Sequence, residues 1–309
     1  MATVFIDGEA GTTGLEIRQR LTRLPIDVHA IAPEQRKDPG ARRAIMANVD
    51  VAILCLPEGA ARAAVELADS LGRNAPRILD ASTAFRTDPA WAYGFPELSH
   101  KQLEHVSYAA RVSNPGCYAQ GAIALLRPLV DAALLPADYP VTINAVSGYS
   151  GGGRSMIEAH ERDGGPDFEL YALGLGHKHV PEIQLYSGLL HRPLFVPSVG
   201  HFRQGMLVSV PLHLAHLPGR PGAADLHAAL TGHYRDSRHV RVPPMDAAAR
   251  LEATALNGSD VMELFVFANP AHGHALLVAR LDNLGKGASG AAVQNLLLML
   301  GLPEEATHG

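Results

Sequence analysis

The sequence predicts an α/β protein with two domains. The first is a doubly wound parallel sheet over residues 1–112, completed by a C-terminal helix at 286–302. The second is an α+β domain over 113–285 with a largely antiparallel sheet. Three observations predict this. The chain opens with a strand, a glycine-rich loop and a helix in direct succession. Short continuous apolar runs then alternate with helical patterns, as buried parallel strands do. Past residue 117 the strands lengthen and partly alternate, as half-exposed antiparallel strands do.

At 309 residues the chain has ample core for two domains. A hydrophobic fraction of 47% and a net charge of -5 describe an ordinary soluble globular protein. No block of like charge calls for nucleic acid, and no apolar stretch reaches membrane-spanning length. The first residues run straight into a strand pattern, and two cysteines make no disulfide framework. The expected compartment is the cytoplasm.

Taken in order, Thr3–Asp7 is a short apolar strand and Gly8-Glu9-Ala10-Gly11-Thr12-Thr13-Gly14 is the loop before a helix carrying Leu15, Arg18 and Leu21. Glycine at every third position departs from G-x-G-x-x-G but has the same use: a tight turn whose backbone approaches a pyrophosphate at the helix N-terminus. A dinucleotide is therefore expected on Gly8, Gly11, Thr12, Thr13 and Gly14. A second strand spans Ile26–Ile31. Glu34 at its tip suits a ribose 2′-hydroxyl, whereas Arg36, Lys37, Arg42 and Arg43 suit a 2′-phosphate, which favours NADP over NAD. Val49–Leu56 reads as a buried parallel strand closed by Pro57 and followed by an alanine-rich helix. Arg77–Asp80 and His105–Ala110 read as further short strands.

Ser113-Asn114-Pro115-Gly116-Cys117-Tyr118 places a cysteine in a Pro-Gly turn ahead of a helix over Ala119–Leu129. At the first turn of a helix, unpaired N–H groups and the positive end of the helix dipole favour the thiolate. Cys55, inside the apolar run 51–56, reads as inert strand core. Pro140–Ser147, Met206–Leu214, Val261–Asn269 and His274–Asn283 are the expected strands of the second domain, with a hairpin turn at Leu256–Asp260.

Two polar stretches remain. Ser147-Gly148-Tyr149-Ser150-Gly151-Gly152-Gly153-Arg154 allows close backbone approach to a ligand and supplies a cation. Gly176-His177-Lys178-His179-Val180-Pro181-Glu182 concentrates two proton carriers and a carboxylate. Only two histidines are local and no other His/Cys cluster completes a tetrahedral site, so no metal is expected.

Four ordered motifs resemble N-acetyl-gamma-glutamyl-phosphate reductases: Asn114–Tyr118, Ser147–Arg154, His177–Ile183 and Lys286–Gly290 through Gln294-Asn295. Asp80-Ala81-Ser82-Thr83-Ala84-Phe85-Arg86 is similar to that family's D-x-S-A-D-F-R, with Thr83-Ala84 replacing Ala-Asp. Pro197-Ser198 stands where the longer type has Pro-His. The short length and the first loop resemble the shorter of the family's two types.

The resemblance implies reduction of a small-molecule acyl phosphate to an aldehyde with NADPH, the third step of arginine biosynthesis from glutamate. It implies Cys117 as the nucleophile that forms a thioester. His177, with Tyr171 and Glu182 as orienting partners, is the implied acid/base, and His179 is its rival. Pro57 and Ser82 join Arg36 on the cofactor side. Arg86, Asn114, Ser147, Gly148 and Arg154 lie on the substrate side, with Arg111 and Lys178 as further cations. A homo-oligomer, dimer or tetramer, is implied through the sheet of the second domain. Two other readings stay open here. Aspartate-semialdehyde dehydrogenases share the cysteine chemistry, and Gly200-His201 after Val196-Pro197 is similar to their histidine motif. A non-catalytic dinucleotide sensor would keep the fold alone.

Overall fold

The computed structural model describes residues 1–303 and divides into two compact units, Met1–Pro115 with the residues from Ala288 onward, and Gly116–Gly287.

In the first unit the order is β1 (Ala2–Asp7), α1 (Thr12–Leu21), β2 (Ile26–His29), α2 (Pro39–Met46), β3 (Val51–Leu54), α3 (Glu58–Asp69), β4 (Arg77–Asp80), β5 (Ala92–Tyr93), α4 (His100–Tyr108) and β6 (Arg111–Ser113). The strands form one sheet in the order β2-β1-β3-β4-β6-β5, every pairing parallel. Side chains alternate across a strand, so Val4, Ile6, Val51 and Ile53 enter one apolar cluster while Phe5, Ala52 and Leu54 enter another on the opposite face. The second cluster is closed by Met46 of α2 and by Ala61, Ala64 and Val65 of α3. Strand order reverses between β1 and β3, which opens a crevice at their carboxyl ends.

The second unit runs α5 (Cys117–Asp131), β7 (Thr142–Gly148), α6 (Arg154–Asp163), β8 (Phe168–Leu170), α7 (Val180–Ser187), β9 (Leu194–Gly200), β10 (Met206–His213), α8 (Ala223–His233), β11 (Val240–Arg241), β12 (Met262–Asn269) and β13 (His274–Leu281). After a π-helical turn at Gly285–Ser289, α9 (Gly290–Leu300) returns to the first unit and adds Val293, Leu296 and Leu297 to the first cluster. The second sheet has the order β11-β12-β13-β10-β7-β9-β8. It is antiparallel at β12-β13, β13-β10, β10-β7 and β9-β8, and parallel at β11-β12 and β7-β9. Helix α5 lies close to this sheet: a Cβ on Gly121 would come within 3.0 Å of Val208 and 3.4 Å of Ala279.

Two local expectations are corrected, and one strand was missed. His105–Ala110 is not a strand. Ser99 accepts the Gln102 N–H at 3.1 Å and starts α4, so the next strand is the three-residue β6. Leu256–Asp260 is not a hairpin turn, because β11 before it and β12 after it are parallel. The hairpin joins β12 to β13 through Pro270–His272 and Gly273, whose φ is +62°. The inner strand β9 carries Pro197, a residue that argues against a strand in sequence and so hid this one.

Candidate active site

The first unit carries a glycine loop at the N-terminus of α1. Gly8 has φ +89°, and a Cβ there would lie 2.4 Å from the Cys55 carbonyl oxygen, so β1 and β3 come together only over glycine. A Cβ on Gly14 would sit 2.6 Å from Glu9 Cα, which keeps α1 close under the loop. Gly11 donates to the Gly8 carbonyl and serves as N-cap of α1 with no side-chain cap, leaving Thr12 and Thr13 as the first helical residues. Such an N-terminus suits a pyrophosphate, so these residues fit a dinucleotide. Pro57 is the N-cap of α3 at the end of β3. Ser82 shapes the turn after β4: its hydroxyl donates to Asp80 at 2.7 Å and accepts the Ala84 N–H.

The basic residues divide by their partners. Arg42 donates twice to Asp7, whose carboxyl burial pushes above the usual range despite that cation. Arg43 donates to Ser70. Arg42 is thus held within the unit by Asp7, while Arg43 is exposed. Arg36 lies beside the loop, 3.4 Å from Glu9, which also takes Arg18 at 2.5 Å. Glu34 is exposed on a 3-10 turn at Pro33–Gln35. Arg111 pairs with Asp69 and lies over the Trp91 ring. Arg86 is buried and donates to the Asn114 carbonyl at 3.0 Å. The Asn114 amide donates to the Ala288 carbonyl and accepts from Asn295, so it joins the end of β6 to α9.

In the second unit Cys117 is the first residue of α5, partly exposed between buried neighbours. Gly287 passes so close that a Cβ on it would be 3.0 Å from the Cys117 Cβ, a reason for glycine in the 286–290 motif that spacing alone does not reveal. Glu182, buried on α7, accepts the Gly116 N–H at 3.1 Å and so fixes the turn that presents the thiol.

His177 and His179 are both buried while Lys178 between them is exposed. His177 Nδ1 accepts the His179 N–H at 3.1 Å, which assigns the proton of the neutral ring to Nε2. Nε2 faces the Tyr171 hydroxyl at 3.3 Å. Tyr118 touches both rings, with centroids 5.8 Å away in each case, and donates to the Ser198 carbonyl at 2.8 Å. Burial pushes the Tyr171 phenol up to about 12 and the Tyr118 phenol higher still, and the nearby Cys117 opposes ionisation of both. Cys117, Tyr118, Tyr171, His177, His179 and Glu182 thus form one cluster.

The glycine turn is fastened separately. Gly148 N–H donates to the Gly205 carbonyl, and a Cβ on Gly148 would come within 2.6 Å of the Arg203 backbone. Ser147 donates to its neighbour's carbonyl at 3.1 Å, and Ser150 accepts from Asn283 at 2.9 Å. Arg154 is exposed at the first position of α6, directly after Gly153 at φ +74°. Asn283, which holds Ser150 and the Gly205 N–H, carried no sequence signal beyond its place after β13.

Comparison with known proteins matches residues 3–106 to the semialdehyde dehydrogenase NAD binding domain and residues 117–283 to the semialdehyde dehydrogenase dimerisation domain. The chain is 54% identical over 305 residues to N-acetyl-gamma-glutamyl-phosphate reductase 2 of Pseudomonas putida, covering 96% of each chain. It is 53% identical over 307 residues to N-acetyl-gamma-glutamyl-phosphate reductase of Chelativorans sp., covering 97% of this chain and 98% of the relative. Its fold is similar to aspartate semialdehyde dehydrogenase of Candida albicans, solved with NADP, at a TM-score of 0.68 and 13% identity over 97% of this chain and 98% of that one.

Proposed function

The chain belongs to the semialdehyde dehydrogenase family, among its N-acetyl-gamma-glutamyl-phosphate reductases, and from that premise we propose how its residues carry out the reaction. The substrate is N-acetyl-L-glutamyl 5-phosphate, the product N-acetyl-L-glutamate 5-semialdehyde, and the place in metabolism arginine biosynthesis in the cytoplasm. The observation that supports this best is Cys117 at the first position of α5, in a turn held by the Glu182 carboxylate.

The Cys117 thiolate attacks the acyl carbon. The tetrahedral oxyanion is stabilised by N–H groups of the first turn of α5, and phosphate leaves as the thioester forms. The Gly8–Gly14 loop would hold NADPH, with Arg36 as a cation for its 2′-phosphate, and the cofactor would supply the hydride that reduces the thioester. The resulting thiohemiacetal oxyanion needs a proton for a moment and loses it as the C–S bond breaks. His177 manages that proton, because its Nε2–H points outward toward Tyr171 while Nδ1 is occupied by backbone. His179 packs the cluster. Arg154, together with Ser147 and Gly148, binds the substrate's anionic groups, and Arg86 and Asn114 are further substrate-binding residues.

The outward face of the second sheet forms a homo-oligomer. It holds a cavity of about 660 Å3 lined by Phe168, Leu170, Val196, Leu207, Phe267 and Leu276, and several of these are exposed. An apolar face of this kind is unusual on a lone subunit.

The test is the reverse reaction: NADP reduction with phosphate and either N-acetylglutamate semialdehyde or aspartate semialdehyde. Turnover of the N-acetylated aldehyde, lost in Cys117→Ser, is expected. Preference for aspartate semialdehyde, or undiminished activity in the variant, would overturn the substrate or the thioester respectively.

A further inference from the structure

Three aromatic side chains of the second unit stand together without a part in the thiol chemistry. Tyr149 stacks on His160, with centroids 4.7 Å apart and planes 15° apart. His160 in turn stacks on His201 at 5.2 Å and 29°. The two imidazoles share a hydrogen bond between Nδ1 atoms at 3.0 Å, so one ring donates there and the other accepts. His160 is 4% exposed, and Gly165, at φ +47°, passes so close that a Cβ would lie 2.4 Å from its Nδ1. The His201 N–H is tied to the Asp167 carbonyl at 2.9 Å. The bond joins buried His160 on α6 to exposed His201, and with the Asp167 carbonyl it ties the connection after β9 to α6.

The position of the stack gives it a purpose. Tyr149 precedes Arg154 by five residues and His160 follows it by six, while His201 comes from the connection between β9 and β10. Between Tyr149 and Arg154 stand three consecutive glycines, the most permissive backbone available, with Gly153 itself at φ +74°. A cation carried on such a turn keeps one position only if both flanks are held. The exposed Arg203–Glu161 pair, 2.6 Å apart, also ties α6 to that connection, but a surface pair contributes little.

We propose that Tyr149, His160 and His201 are positioning residues for Arg154, fixing the glycine turn and the first turn of α6 so that the guanidinium meets the phosphate of the acyl phosphate. The inference rests on the reading of Arg154 as a substrate cation. His201→Ala is expected to raise KM for phosphate in the reverse reaction roughly tenfold, with kcat changed by less than about twofold. His201→Asn, whose amide stands near where Nδ1 was, restores most of the loss. In an Arg154→Ala background His201→Ala adds nothing further. A raised KM in Arg154→Ala with a normal KM in His201→Ala overturns the positioning role and leaves the Arg154 reading intact. An unchanged KM in Arg154→Ala overturns that reading, and with it this inference. A lowered melting temperature in His201→Ala with KM unmoved makes the stack merely structural and also overturns it.

Discussion

Cys117 and Cys55 show how place decides the chemistry of one residue type. Both cysteines are partly exposed, but Cys117 stands at a helix N-terminus, whereas desolvation and the nearby Asp80 and Asp7 carboxyls push the Cys55 thiol up to about 12. A thiol reagent at pH 8 is therefore expected to label the native protein once, at Cys117, and twice after unfolding; mass spectrometry of the labelled peptides checks this. The same shift has a stability consequence. The folded value lies above the unfolded one of 9.0, so the stabilisation is full below pH 9 and declines as pH rises toward about 12. Urea midpoints between pH 8 and 11 are expected to fall less steeply in Cys55→Ala, the difference amounting to at most about 1.4 kcal/mol per pH unit. Glu182 gives a third prediction. Glu182→Ala leaves the buried Gly116 N–H without this acceptor, at a cost of about 1–3 kcal/mol, while Glu182→Gln retains an oxygen there and loses less. Denaturant unfolding of the two variants measures the difference. Cys117 and the histidines were legible in sequence because turn residues and polar density mark them. The partner of Glu182 was not, since nothing local in the sequence points from residue 182 to the N–H of residue 116.

Among the elements, those with a period or a cap written into them were the easiest to read. The strand, glycine loop and helix at 2–21 were expected and are found, because Gly8 and Gly14 are demanded by contacts that any side chain would violate. Segment 105–110 misled, because Val106 and Tyr108 look strand-like locally while the deciding signal, the Ser99 cap, lies six residues upstream. Arg77 is the device that completes the first unit at this scale. Its guanidinium donates to the carbonyls of Ser107 and Ala109 at the end of α4 and of Met299 near the end of α9. Those are carbonyls that a helix terminus leaves without intrahelical partners, at the end that favours a cation. Arg77→Met is expected to lower stability by about 1.5–3 kcal/mol and to raise hydrogen exchange in α4 and α9 before the sheet.

For the molecule as a whole, the alternation of strands and helices conveyed the parallel sheet, and the longer strands past residue 117 conveyed a second sheet. Its mixed pairing was not legible, since a parallel neighbour such as β7 beside β9 depends on residues fifty positions apart. The apolar outer face of that sheet gives the prediction at this scale. Leu276→Glu, a charge on a 38% exposed leucine lining the cavity, is expected to shift the particle to monomer mass in light scattering, with the monomer still folded by circular dichroism.

The return of α9 to the first cluster carries a consequence for how the chain is made. Val4, Ile6 and Ile17 leave the ribosome long before Leu296 and Leu297, with which they share a cluster. At ~5–20 residues per second, the amino-terminal segment waits many seconds with that face of its sheet open, while the whole of 116–287 emerges and can fold. The first unit, begun before the second, is therefore completed after it, and a chain cut short before α9 would leave that face of the first sheet uncovered.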